Sequence, residues 1–202
     1  MSTAALSTRP ALVLASSSPY RQALLARLGL AFVAASPELD ETPRPGEFGV
    51  ALAARLALAK ATALAPSHPE ALVIGSDQTL TLAGQALGKP GTRAAARAQL
   101  AAAAGREARF DTAVCVLDAA RGRSRSAVVT TTVEFRALTP AEIAAYVERE
   151  PALDCAGAFK AEALGIALCR RIDSPDPTAL IGLPLIALCD LLADFGVSPL
   201  SP

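Results

Sequence analysis

The sequence predicts an α/β fold, a mixed β-sheet flanked by helices. Three observations carry this. Short runs of Val, Leu, Ile and Thr alternate along the chain with segments whose apolar residues recur at helical spacing. The helical segments open on Ser or Thr caps and Pro, and close on Gly. Leu80-Thr81-Leu82 and Gln85-Ala86-Leu87 flank Ala83-Gly84 and read as a hairpin, so the sheet is not purely parallel.

The elements follow in order. Residues 11–15 form a short buried strand. Ser18 caps a first helix, Pro19 sits in its first turn, Leu24, Leu25 and Leu28 face inward, and Gly29 stops it. Phe32 and Val33 read as a second strand, and Ser36 to Gly49 as a long loop rich in Pro and acid. A helix covers 50–64, ending before Pro66. Leu72-Val73-Ile74 is a buried strand that ends at Gly75-Ser76-Asp77-Gln78, ahead of the hairpin. Thr92 caps the next helix and Gly105 closes it. Val114 to Leu117 and Ser126 to Phe135 read as strands, the second rich in Val and Thr. Thr139-Pro140-Ala141-Glu142 is a capping box that opens a helix running to about Glu150. Gly157 to Ile172 holds a loop and a strand, and the last helix runs from Pro184 to Gly196.

Composition narrows the function. With 202 residues the chain makes one domain, or two lobes sharing a core. Its 19 basic and 19 acidic residues give zero net charge, so no global field attracts a nucleic-acid backbone, and any anion site is local. Cys115, Cys155, Cys169 and Cys189 form no C-x-x-C pair, which argues against zinc; they read as buried reduced thiols and suit the cytoplasm. No uninterrupted apolar run reaches about 20 residues, so no membrane span is expected, and Met1–Pro10 does not read as a signal peptide. His68 lies between Ser67 and Pro69 and reads as a solvated loop residue, which leaves Ser-His and Cys-His nucleophiles unsupported.

Three features carry chemistry. Ser16-Ser17-Ser18-Pro19 enters a helix whose N–H groups suit an anion, and Arg21 in the first turn adds a guanidinium fork. The same residues also fit an ordinary N-cap beside an exposed arginine. Asp77 closes an apolar strand, where α/β proteins place ligands, and Asp40 and Glu41 lie in the long loop; three carboxylates suit Mg²⁺, or alternatively Asp77 caps a turn. Lys89 is held between Gly88 and Pro90, and Lys60 is the only charge within Leu56–Leu64. The first also fits a solvated turn, the second a side chain snorkelling at a helix edge.

In order and spacing, these features resemble the Maf family of nucleotide pyrophosphatases. The matching stretches are LVLASSSPYRQALLARLGLAF, SPELDETP, ARLALAKA, LVIGSDQ, GQALGKP, FRALTPAEIAAYV, LDCAGAFKAEALGIALCRRID and LIGLPLIALCDLLADFG. The resemblance implies an elongated two-lobed body with a deep nucleotide cleft, formed by one domain over 11–197, with 1–10 as an extension and 198–202 as a tail. It implies hydrolysis of a nucleoside triphosphate between the α and β phosphates, with Mg²⁺ or Mn²⁺. Asp77 falls on the family's catalytic acid, and Ser16, Arg21, Glu41, Lys60 and Lys89 on positions for phosphate and metal handling. A homodimer is plausible for the family, which is also linked to arrest of septum formation, so a nucleotide-binding regulator is a further reading. Asp111-Thr112-Ala113 departs from the family's Tyr-Thr-Gly and puts the local loop geometry in question.

Tyr20, Gln78 and Glu162 resemble the branch that acts on 7-methyl-GTP rather than the branch that cleaves dTTP and UTP. The physics is consistent with that. N7-methylguanine is a cation; an aromatic face attracts it, a carboxylate neutralises it and accepts from its N–H groups, and an amide donates or accepts. Alternatively, Tyr20 packs on the first helix and Glu162 is a surface charge.

Overall fold

A computed structural model describes residues 10–201; the extension expected over 1–10 lies almost wholly outside them. Among these residues seven strands form one mixed sheet: β1 Leu12–Ala15, β2 Phe32–Ala35, β3 Leu72–Leu82, β4 Gln85–Leu87, β5 Glu107–Asp118, β6 Arg123–Phe135 and β7 Cys169–Asp173. Their order is β2-β1-β3-β5-β6-β7, with β4 paired to the far end of β3. Five α-helices among the described residues flank the sheet: α1 Pro19–Ala26, α2 Gly49–Leu64, α3 Arg93–Ala103, α4 Pro140–Arg149 and α5 Leu185–Ala193.

The capping chemistry holds at each start that has a hydroxyl cap. Ser18 accepts from the Arg21 amide, Thr92 from Ala95, and Thr139 and Glu142 form a reciprocal capping box. Ala83 and Gly84 both take positive φ in the hairpin turn, the geometry that matches strand twist.

Three strands are longer than expected. β3 does not end at Gly75; it runs unbroken from Leu72 through the hairpin arm to Leu82. β5 starts at Glu107 rather than Val114, so Asp111-Thr112-Ala113 lies inside a strand and not in a loop. β6 begins at Arg123. Polar residues hid these extensions: Ser76, Asp77 and Gln78 in β3, Arg109, Asp111 and Thr112 in β5, and Arg123 to Arg125 in β6 interrupt the apolar pattern, and the extended part of β3 carries Asp77 and Gln78 of the site.

The long strands serve three apolar clusters. On one face of β3, Leu72 and Ile74 join α1 and α5 through Leu24, Leu25, Leu188 and Leu192. Farther along the same face, Leu80 and Leu82 join α3 and α4 with Phe110 and Val133. Ser76 and Gln78 have the same parity as these residues, so they form a polar break between two apolar clusters. On the opposite face α2 packs Ala53, Ala57 and Ala61 on Val73, Ala113 and Cys115. Gly75 permits this closeness, because a methyl group there would overlap the Ala57 carbonyl.

The segment Gly49–Ser67 spans 19 residues with mean hydropathy 1.3, long and apolar enough by length and composition to cross a membrane, although Arg55 and Lys60 interrupt its apolar run. Here Leu52, Ala53, Leu56, Ala57 and Ala61 are buried, and the helix lies across β3 and β5. The cysteines also divide. Cys115 and Cys169 are buried, whereas Cys155 and Cys189 are only partly so. His68, half-buried, ends a 3₁₀ turn after α2.

Candidate functional site

Sheet topology opens the site. β1 pairs with β3 only as far as Ala15 opposite Gly75, and β4 rejoins β3 at Leu80. Between these points, among the described residues, Ser76 to Thr79 have no paired strand on the β1 side. A cavity of about 540 Å³ lies there, and Ser16, Tyr20, Arg21, Glu41, Lys60, Asp77, Gln78, Lys89 and Glu162 are all on its wall. Asp77 is therefore in mid-strand, at the C-terminal edge of the parallel part of the sheet.

Asp77 is buried, and its Oδ1 lies 2.6 Å from Lys60 Nζ. Lys60 is buried as well and reaches Glu41 Oε1 at 3.1 Å, so one ammonium bridges two carboxylates from different segments. It does not snorkel. Burial pushes the Asp77 carboxyl above its ordinary value of 3.8, against the pull of Lys60 and then Arg21. Asp40 does not join this pair; its Oδ1 accepts from the Thr42 amide at 2.9 Å and shapes the loop.

Arg21 does not swing free at its helix start. Its Nε donates to the Gly182 carbonyl at 2.8 Å, and burial lowers its pKa against the opposing fields of Asp77 and Glu41. Ser76 Oγ lies 2.9 Å from the same carbonyl. Gly182 sits at φ 123°, which L side chains rarely adopt. Ser16 Oγ accepts from the Ser18 amide at 3.1 Å, leaving its hydroxyl proton to donate. Lys89 is exposed at the rim.

On the sheet face opposite α2, Gln78 Nε2 donates toward Thr112 Oγ1 at 2.9 Å and the carbonyls of Ala179 and Leu180 at 3.0 and 3.1 Å. Tyr20 OH donates to Asp154 Oδ2 at 3.3 Å, and Lys160 Nζ lies 5.5 Å from the Tyr20 ring centroid. Glu162 is exposed on the wall.

Several neighbours escaped the sequence reading. Lys160 gives the Tyr20 ring a cation of its own, and the Tyr20 side chain raises the pKa of that lysine. Cys155 lines the cavity with its thiol pushed up to about 12 by burial, then by Asp154. Asp176 is buried; its Oδ1 accepts from Thr178 N and Oγ1, and its Oδ2 accepts from the Ile186 amide at 2.7 Å at the start of α5. It thereby holds the 176–183 loop, whose carbonyls receive Arg21, Gln78 and Thr112. An Asp-x-Thr spacing ahead of a helix is the one sequence signal that could have pointed to it.

Glu41 and Asp77 each bring a carboxylate to Lys60 on this wall; among the described residues no group of three His, Cys, Asp or Glu side chains gathers to hold a metal. Two hard oxygen donors are what Mg²⁺ takes when a bound phosphate and water complete its shell. The donor set fits such an ion.

Fold and site together define a mixed-sheet α/β protein. Its sheet-edge cavity gathers cations, hydroxyls and a carboxylate pair. A family model described as Maf-like protein matches residues 11–195, and the chain belongs to that family. It is 58% identical over 187 residues to a protein of Xanthomonas oryzae pv. oryzae (strain MAFF 311018), covering 93% of this chain and 97% of that one. Relatives from Cupriavidus pinatubonensis (54%; 93% and 94% covered) and Thiobacillus denitrificans (53%; 96% of each) are comparably similar. All three are named 7-methyl-GTP pyrophosphatase. Among solved structures, a HAM1 protein from Coxiella burnetii overlaps 64% of this chain and 75% of its own, at 21% identity and a TM-score of 0.47.

Proposed function

We propose that this protein hydrolyses 7-methyl-GTP to 7-methyl-GMP and pyrophosphate, acting on the free nucleotide in the cytoplasm and keeping a modified nucleotide out of nucleic acids. The relatives that bear this name support the substrate. One observation supports the chemistry above the others: a buried carboxylate, Asp77, held at 2.6 Å by a buried ammonium on the wall of a cavity large enough for a nucleotide.

Water attacks the α-phosphorus, the bond to the bridging oxygen breaks, and pyrophosphate leaves. Asp77 takes the proton of the attacking water; its raised pKa makes it a stronger base than a solvated aspartate. Lys60 fixes its orientation. Arg21 and Ser16 bind phosphate oxygens from the α1 end, and Lys89 closes on them from the rim, so positive charge meets the charge that builds on the leaving group. A divalent cation, Mg²⁺ or Mn²⁺, held by Glu41 and Asp77 would supply further charge neutralisation at the phosphates. Tyr20, Gln78 and Glu162 take the base: Tyr20 by its ring, Glu162 by neutralising the methylated purine.

The test is pyrophosphate release from 7-methyl-GTP, GTP, dTTP, UTP and CTP with Mg²⁺. The proposal expects 7-methyl-GTP to lead by kcat/KM. A lead for dTTP or UTP would overturn the base assignment, and silence with every substrate would overturn the enzyme.

A further inference from the structure

The Gln78 amide can face the cavity with either end, and the surroundings decide which. Thr112 Oγ1 has one proton, and it goes to the Ala179 carbonyl at 2.9 Å. Toward Gln78 that hydroxyl is left with lone pairs only. The carbonyls of Ala179 and Leu180 are acceptors as well, so three acceptors surround one end of the amide. Nitrogen belongs there, its two protons shared among them; the reverse orientation would set oxygen against three oxygens. The amide oxygen takes no hydrogen bond from the described residues and is not among their sealed, unpartnered atoms, so it opens onto the cavity that Gln78 lines.

We infer that Thr112, with the 179–180 carbonyls, is a positioning residue that locks Gln78 as an acceptor-only reader, so this part of the wall selects a base edge that presents N–H donors. Guanine presents two adjacent donors, N1–H and N2–H₂; adenine offers only N6–H₂, beside an N1 lone pair that an acceptor-only wall repels. Glu162, the other reader on this wall, is a carboxylate and also only accepts. The inference rests on the base-reading role given to Gln78 above and adds the direction of its hydrogen bond. It also gives the retained threonine of Asp111-Thr112-Ala113 a task, since the strand places it opposite Gln78.

Nuclear magnetic resonance of the full chain, labelled at glutamine side chains and titrated with 7-methyl-GMP, tests this. The Gln78 carbonyl carbon is expected to shift on binding, while its Nε2 protons stay protected from exchange. Nε2 protons that shift and lose protection would mean the amide turns to donate, and an unmoved Gln78 would mean it does not touch the base; either overturns the inference. Affinities for GMP and AMP give a second readout. Wild type is expected to favour GMP at least about tenfold, a ratio of about 1.4 kcal/mol. Thr112→Val should narrow that ratio at least threefold, and Thr112→Ser, which keeps the hydroxyl, should restore it. An unchanged ratio in a folded Thr112→Val protein contradicts the positioning role. If 7-methyl-GTP is not hydrolysed at all, the proposed function fails; if it is hydrolysed but the Gln78 signals behave otherwise, only this inference does.

Discussion

Lys60 and Asp77 decide the chemistry at the scale of single residues. Each is buried, and each has the other as an ion-pair partner 2.6 Å away. Lys60→Met leaves a buried carboxylate with less compensation, and we expect a loss of about 3 kcal/mol at neutral pH by urea unfolding. The pH dependence follows from the direction of the Asp77 shift. A carboxyl raised above 3.8 in the folded state favours folding most below that value and progressively less as pH rises through the raised value. The Lys60→Met deficit should therefore shrink at acid pH; a deficit that grows on acidification would contradict the burial argument. In metal-free protein the Asp77 carboxyl carbon should titrate above 3.8, and Mg²⁺ should pull that midpoint down. A metal-free midpoint below 3.8 would remove the reason for Asp77 to act as the base. The sequence brought these two residues to notice, Lys60 as a lone charge on an apolar helix and Asp77 at the end of an apolar run. It did not show that they meet, because they lie 17 residues apart on different elements. Tyr20 is the opposite case. Its ring was legible as a candidate, but its engagement with Lys160 and Asp154 depends on a distant loop.

At the scale of elements, the site depends on how closely α2 lies on β3 and on how the 176–183 loop is held. Gly75 is in contact with the α2 backbone one turn before Lys60, so Gly75→Ala must lift the helix and draw Lys60 away from Asp77. We expect about 1–3 kcal/mol of destabilisation, seen as a lower urea midpoint, with a fall in kcat of at least tenfold. Retention of both would show that the helix adjusts without moving Lys60. Asp176→Ala removes a charged acceptor from the start of α5 and from Thr178, at a cost of about 1.5–3 kcal/mol by the same measurement. Wild-type stability would mean that water replaces the carboxylate. Helix starts were readable because caps are local chemistry: Ser18, Thr92 and Thr139 each fall where the structure uses them. The strand lengths were not. Periodicity reports burial, and the middle of β3 is polar because Asp77 and Gln78 line a cavity and Ser76 serves the carbonyls of Ala113 and Gly182. The pattern places a strand end where the strand continues to the site.

For the whole molecule, one sheet supports two apolar clusters on the same face, and the cavity lies at the polar break between them. The α/β class and the mixed pairing follow from alternation and from one hairpin, both local signals. The gap left where β1 stops before β4 begins is a property of strand register, which sequence pattern does not carry. That gap brings nine separately chosen residues to one wall, and the account stands on their working together on one nucleotide. The most direct test is pyrophosphate release from 7-methyl-GTP with Mg²⁺ by the wild-type protein beside Asp77→Asn, an isosteric change that keeps the amide oxygen near Lys60 but removes the base. The account predicts turnover of 7-methyl-GTP well above GTP, dTTP and UTP, and a loss of at least about a thousandfold in kcat for a folded Asp77→Asn protein. Undiminished turnover in Asp77→Asn would contradict it.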